Sequence, residues 1–255
     1  MSISEKTCWV VDLGLIAYQP ACDLQWQLVA ARKSGAVPDV LLLCEHSHVI
    51  TMGRNGRQEH LLASSHLLKQ MGVEFFPSDR GGDVTYHGPG QIVGYPILNL
   101  AAIRRDVAWY VRQLEEAMIR ATAEFGIVAD RKPGMTGVWV DDAAAAADET
   151  TKCSSSEKLA AIGVHLSRWV TSHGFAYNVS TDLRYFDLIV PCGIRDKRAT
   201  SLERLLARVV LREDVAPRIV AHLGGVLERD MQPVSREILE DTLREHEESV
   251  VHATA

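Results

Sequence analysis

The chain has 255 residues and a formal net charge of −6, with 47% hydrophobic and 24% charged positions. That length and apolar content suffice for a substantial core, and with no Pro/Ser-rich linker in the middle a single domain spanning 1–255 is expected. A mildly acidic chain with no basic face is not built for nucleic acid, and no apolar run approaches membrane-spanning length.

In chain order, Cys8–Leu13 reads as a strand and Cys22–Lys33 as a helix with apolar spacing at Leu24, Leu28 and Ala31, ending before Ser34-Gly35. Val40–Cys44 is a short apolar strand. Glu59–Met71 has helical spacing with Gly72 as its stop, and Val73–Phe76 is a strand ended by Pro77. Ile92–Leu98 is apolar but carries Pro96, which predicts an edge or irregular strand. Asp106–Phe125 is the clearest helix, with Asp106 at the N-cap and Gly126 beyond its end. Strands follow at Gly137–Val140, Leu159–Leu166 and Trp169–Val179, then helices at Ser201–Ala207, Val215–Leu227 and about 235–247. Several consecutive strands in mid-chain predict an α+β fold with a mostly antiparallel or mixed sheet. Residues at about 141–157 run through five alanines into Asp-Glu-Thr-Thr-Lys-Cys-Ser-Ser-Ser-Glu with no buried periodicity, which predicts a mobile insertion between two strands. A frayed tail is expected beyond Glu247.

The polar N-terminus, with Glu5 among its first residues, lacks the apolar core of a signal peptide, so a cytoplasmic location is expected. The five cysteines (Cys8, Cys22, Cys44, Cys153 and Cys192) are scattered and form no C-x-x-C, which fits free thiols in a reducing compartment. Arg104-Arg105 and Arg195/Lys197/Arg198 are local basic clusters, read as solvated surface or as a face toward an acidic carrier protein.

The densest chemical signal is Arg80-Gly-Gly-Asp-Val-Thr-Tyr-His-Gly-Pro-Gly-Gln91. Glycines let backbone pass close to a ligand, and the polar side chains between them can donate hydrogen bonds. A plain Gly-rich hairpin is the alternative. No P-loop and no G-x-G-x-x-G is present. Cys192 ends an apolar run between Pro191 and Gly193, a setting suited to a nucleophile, whereas Cys8, Cys22 and Cys44 read as small buried hydrophobes. Lys158 opens the apolar stretch Lys158–Gly163, where it is either solvated at a strand mouth or placed to stabilise a thiolate. Glu45-His46-Ser47-His48 contains an H-x-H, but no third metal ligand is evident, and no metal is expected. His87 and His173, each before a glycine, suit pocket lining or proton handling, or a satisfied structural role.

Together these pieces resemble the lipoyl(octanoyl) transferase family. The match runs in order from about Leu41 to Ser201. It covers Glu45-His46 through Thr51-Met-Gly-Arg54, the Arg80–Gln91 motif, Lys158-Leu-Ala-Ala-Ile-Gly163, His173-Gly-Phe-Ala-Tyr-Asn-Val179 and Pro191-Cys-Gly-Ile194. The resemblance implies the biotin/lipoate protein ligase-like fold, a central mixed sheet flanked by helices. It implies transfer of an octanoyl group from octanoyl-acyl carrier protein to a lysine of lipoyl domains, those of 2-oxoacid dehydrogenase E2 subunits and the glycine cleavage H protein, with no cofactor. Cys192 would be the acyl-thioester nucleophile and Lys158 the partner that lowers its pKa. Substrate would be held by Arg80, Gly81, Gly82, Asp83, Val84, Thr85, Tyr86 and His87, by Ala161, Ile162 and Gly163, and by Gly174, Phe175 and Ala176. His48 stands where the family usually has proline, and the stretch before Lys158 is longer than the family pattern.

Two other readings share much of this pattern. An ATP-dependent lipoate or biotin protein ligase shares the fold but needs no cysteine. A non-catalytic acyl-binding module would keep a pocket but have no use for Lys158 and Cys192 together.

Overall fold

The computed structural model describes residues 4–141, 156–190 and 198–254. The Ala/Ser-rich stretch therefore lies almost wholly outside the described residues, as do Cys153 and Cys192.

The chain begins with β1 (Thr7–Ile16), α1 (Tyr18–Ser34), β2 (Asp39–His46) and β3 (Val49–Met52). It continues through α2 (Ser65–Gln70), β4 (Glu74–Pro77), β5 (Val84–His87), β6 (Gln91–Ile97), α3 (Leu100–Ile103) and α4 (Val107–Ala123). Then come β7 (Asp130–Lys132), β8 (Met135–Asp141), β9 (Ser156–Ser167) and β10 (Val170–Asn178), and last β11 (Arg198–Ala199), α5 (Leu202–Leu206), α6 (Arg212–Leu227), β12 (Asp230–Pro233) and α7 (Arg236–Thr254). Among the described residues a mixed sheet runs β12-β1-β2-β6-β10-β9-β8-β7, with β11 added beside β9, and a small sheet has the order β4-β3-β5. The β12, β1 and β2 strands are mutually parallel, while β2, β6, β10, β9 and β8 pair antiparallel in turn.

Helices cover both faces of the large sheet. The alternation along β2 shows why: Leu41 and Leu43 pack with Leu114, Met118 and Ile219 of α4 and α6, whereas Val40, Leu42 and Cys44 pack with Leu24, Leu28 and Leu239 of α1 and α7. A strand buried on both sides reads as a continuous apolar run, which is what Val40–Cys44 is. The α4 start is set by Asp106, whose carboxylate accepts the Trp109 N–H at 2.9 Å.

Four expectations change. The Glu59–Met71 helix is a short turn at Gln58–His60 followed by α2. Between them Leu62 and Ala63 donate to the Leu188 carbonyl, and Ser64 restarts the helix by accepting from Leu67 N–H, so tertiary pairing overrides local propensity. β6 is central, not an edge, and fully buried. Pro96 is tolerated because the ladder with β10 has stopped at Gly94 and the Pro96 carbonyl accepts instead from Thr171 Oγ1 at 2.6 Å. The Gly-rich motif is not a hairpin, since β5 belongs to the small sheet and β6 to the large one. Lastly, α7 continues as helix to Thr254 past the expected end near Glu247.

Candidate active site

The Gly-rich segment crosses between the two sheets and roofs a cavity of about 750 Å³ above β9 and β10. Arg80 anchors it. Its guanidinium donates from Nη2 to the Thr51 carbonyl at 2.7 Å, from Nε to Thr51 Oγ1 at 3.1 Å and from Nη1 to the Gly81 carbonyl at 3.0 Å. Gly81 N–H donates to the Val164 carbonyl at 2.9 Å, joining the roof to β9. The join needs glycine opposite it: a Cβ on Gly163 would lie 2.6 Å from the Gly81 carbonyl oxygen.

The cavity wall takes Arg80, Gly81, Gly82, Asp83, Val84, Thr85 and His87 from the roof, Lys158, Ala161, Ile162 and Gly163 from β9, and Gly174, Phe175 and Ala176 from β10. Tyr86 is not part of this wall: it is buried, its hydroxyl paired with His48 Nδ1 at 2.7 Å and its ring stacked on Tyr185 at 5.0 Å.

The histidines divide clearly. His46 is buried, donates Nδ1–H to the Ile16 carbonyl at 2.8 Å and accepts from the Tyr95 hydroxyl at 2.7 Å, and burial pushes its pKa down to about 4. His48 lies against the Tyr185 ring, centroids 4.3 Å apart. The H-x-H pair therefore serves two different packing sites and does not converge. His87 donates Nδ1–H to Gln91 Oε1 at 2.8 Å, and its Nε2 faces Thr51 Oγ1 at 3.4 Å. Burial pushes its pKa well below the ordinary histidine range, and it lines the pocket. His173, with φ of 55°, pairs through Nε2 with Asp79 Oδ1 at 2.7 Å, and this contact holds the Asp79 carboxyl below its usual range.

Lys158 reaches the wall with its ammonium 4.6 Å from the centroid of the Trp139 ring, within the range of a cation–π contact. Trp139 is brought opposite Lys158 by a bulge in β9, since Val138 pairs with Ala160 while the next residue, Trp139, pairs with Lys158 and Leu159 is left over. Bulges re-aim side chains in this way beside functional sites. The indole N–H is held by the Met135 carbonyl at 3.0 Å. Neither Trp139 nor the wall residues Tyr18, Tyr95 and His60 stand out in the sequence, because the bulge and the sheet crossing that gather them are tertiary.

Cys192 itself lies outside the described residues. Its described neighbours on both sides are fixed at the cavity. Val190 N–H donates to the His60 carbonyl at 2.8 Å. On the far side, Arg198 and Ala199 line the cavity and pair with Glu157 and Lys158. Cys8, Cys22 and Cys44 are buried, and desolvation raises all three thiols, that of Cys22 to about 11. They are core residues, not nucleophiles.

A large mixed sheet with helices on both faces is a fold that this chain shares with lipoate protein ligases. The bi-partite lipoate protein ligase from Thermoplasma acidophilum superposes with a TM-score of 0.71 at 16% identity, over 94% of this chain and 91% of that one, a likeness of fold. The family model of the lipoyl protein ligase A/B catalytic domain matches residues 17–224. An octanoyltransferase of Solibacter usitatus is 51% identical over 228 residues, 89% of this chain and 96% of that protein. One of Koribacter versatilis is 49% identical over 224 residues, 87% of this chain and 85% of that protein. The chain belongs to the lipoyl protein ligase A/B catalytic-domain family and, within it, to the octanoyltransferases. It is an acyltransferase.

Proposed function

We propose that this acyltransferase moves an octanoyl group from octanoyl-acyl carrier protein, through a thioester on Cys192, to a specific lysine of lipoyl domains. The acceptors are the lipoyl domains of 2-oxoacid dehydrogenase E2 subunits and the glycine cleavage H protein, and the setting is cytoplasmic. No helix among the described residues is long and apolar enough to cross a membrane. The observation that supports the reading is Lys158 in the wall of a cavity that the three motifs build, with Arg198 and Ala199 in the same wall and Val190 held by the His60 carbonyl. Val93, Ile162 and Phe175 supply apolar wall for the acyl chain, worth about 0.8 kcal/mol per buried methylene.

An ammonium near a thiol favours the thiolate. The Cys192 thiolate attacks the carrier thioester, a new C–S bond replaces the old one, and Lys158 gives its proton to the departing carrier sulfur. The acceptor amine then attacks the acyl-enzyme, a C–N bond forms, and the Cys192 thiolate leaves. Thioester exchange is nearly neutral in free energy and aminolysis is downhill, so the sequence needs no ATP, unlike that of a ligase.

The test is intact mass after incubation with octanoyl-carrier protein in the absence of ATP. A single octanoyl adduct is expected on the wild type and none on Cys192→Ala. An unmodified wild-type chain that acylates a lipoyl domain only when given ATP and free acid would mean a ligase.

A further inference from the structure

The inference rests on the reaction just proposed, in which a proton count leaves one proton without a carrier. Lys158 gives one proton to the carrier sulfur. The acceptor ε-ammonium loses two on its way to a neutral amide, while the Cys192 sulfur departs as thiolate. Neutral Lys158 can take back only one, which restores the starting ion pair. The other must reach solvent, and a base on the cavity wall would carry it there.

Among the described residues three histidines line the cavity: His60, His87 and His173. His87 has both nitrogens engaged, and His173 gives Nε2 to Asp79 while its Nδ1 is sealed away from solvent. His60 differs. Its Nδ1–H donates to Asp83 Oδ2 at 2.5 Å. Asp83 is fixed in turn through Oδ1, which accepts Val84 N–H at 2.7 Å and Arg57 N–H at 3.3 Å. A carboxylate behind one imidazole nitrogen sets the tautomer, leaves the other nitrogen as the base, and stabilises the imidazolium that forms. That other nitrogen, Nε2, has the Glu59 carboxylate 3.9 Å away, and Glu59 is itself paired with Arg57 at 3.4 Å. The His60 side chain is 15% exposed, enough to pass a proton outward. Its carbonyl also holds Val190, at the approach to Cys192.

We propose that His60, oriented by Asp83, is the second proton acceptor of the transfer step. An N–H bond of the attacking amine breaks, its electron pair stays on nitrogen, the proton bonds to His60 Nε2, and the imidazolium releases it to solvent. His60 acts on the amine and Asp83 is a positioning residue.

The experiment loads octanoyl onto wild-type enzyme, His60→Gln and Asp83→Asn from octanoyl-carrier protein, and follows discharge of the adduct by intact mass. One arm adds a lipoyl domain and the other adds hydroxylamine, an amine already unprotonated at neutral pH. Both variants are expected to acquire the adduct. Discharge to the lipoyl domain should fall about 10²-fold in His60→Gln, the lower end of what general base catalysis supplies, and by a smaller factor in Asp83→Asn. Discharge to hydroxylamine should fall much less than discharge to the lipoyl domain. Equal losses in both arms would make His60 a shaping residue only, and unchanged transfer to the lipoyl domain would remove it from the chemistry; either result overturns the proposal. A wild type that takes no adduct instead sinks the underlying reaction, so the two failures are distinct.

Discussion

Among the contacts that place Lys158 is the Trp139 ring, 4.6 Å from its ammonium. A free thiol titrates near ~8.5, so only a few per cent is thiolate at neutral pH unless a cation is close. Lys158→Ala should therefore slow adduct formation about 10- to 30-fold at pH 7, with most of the rate recovered above pH 9, as read by quenched-flow mass measurement. Equal rates for variant and wild type across that range would take Lys158 out of thiol activation. The three described cysteines make the contrast: burial raises their thiols, so they stay protonated, whereas the proposed reaction asks Cys192 to ionise.

At the level of elements, the site depends on how closely β6 and β10 approach. A Cβ on Gly174 would run into the Gly94 carbonyl and lie 2.6 Å from Pro96 Cδ. Backbone cannot yield as a long side chain can, so Gly174→Ala should destabilise the protein by roughly 1–3 kcal/mol. Urea denaturation followed by circular dichroism measures this, and a midpoint equal to wild type would show that the strands can part. The bulge in β9 and the roof-to-β9 join at Gly81 work the same way: each forgoes a regular ladder to place one side chain or one carbonyl at the cavity. Residues 161–163 and 174–176, which the family resemblance picked out, lie in the cavity wall. Trp139 and His60 were not legible in the sequence, since one depends on a bulge and the other on pairing of Leu61 with Ile189 across 128 residues of chain, 189 − 61.

For the whole molecule, buried neutral histidines set the response to acid. His46 titrates at about 4 in the folded protein against 6.5 when unfolded, and His87 is held well below its ordinary range. Above pH 6.5 both states leave these rings neutral and no stability difference arises. As pH falls through 6.5 the unfolded chain binds protons that the folded one refuses, so stability is lost progressively down to the folded pKa. Each histidine then removes about 1.4 kcal/mol per pH unit in that window. Thermal scans should show Tm falling between pH 6.5 and pH 4, with a shallower fall in His46→Gln; a flat profile would mean that water reaches these rings.

The sequence by itself determined the family, the principal strands and helices around the motifs, and which side chains carry charge. Those follow from local patterns: alternation along β2, the Asp106 cap, glycines among hydrogen-bond donors, and a cysteine between proline and glycine. The tertiary structure alone decided that β6 is central despite Pro96, that Tyr86 turns away from the cavity, that His46 and His48 never meet, and that His60 stands in front of Asp83. Each of these is set by contacts between segments far apart in the chain, where pairing and burial outweigh the preferences of any single stretch.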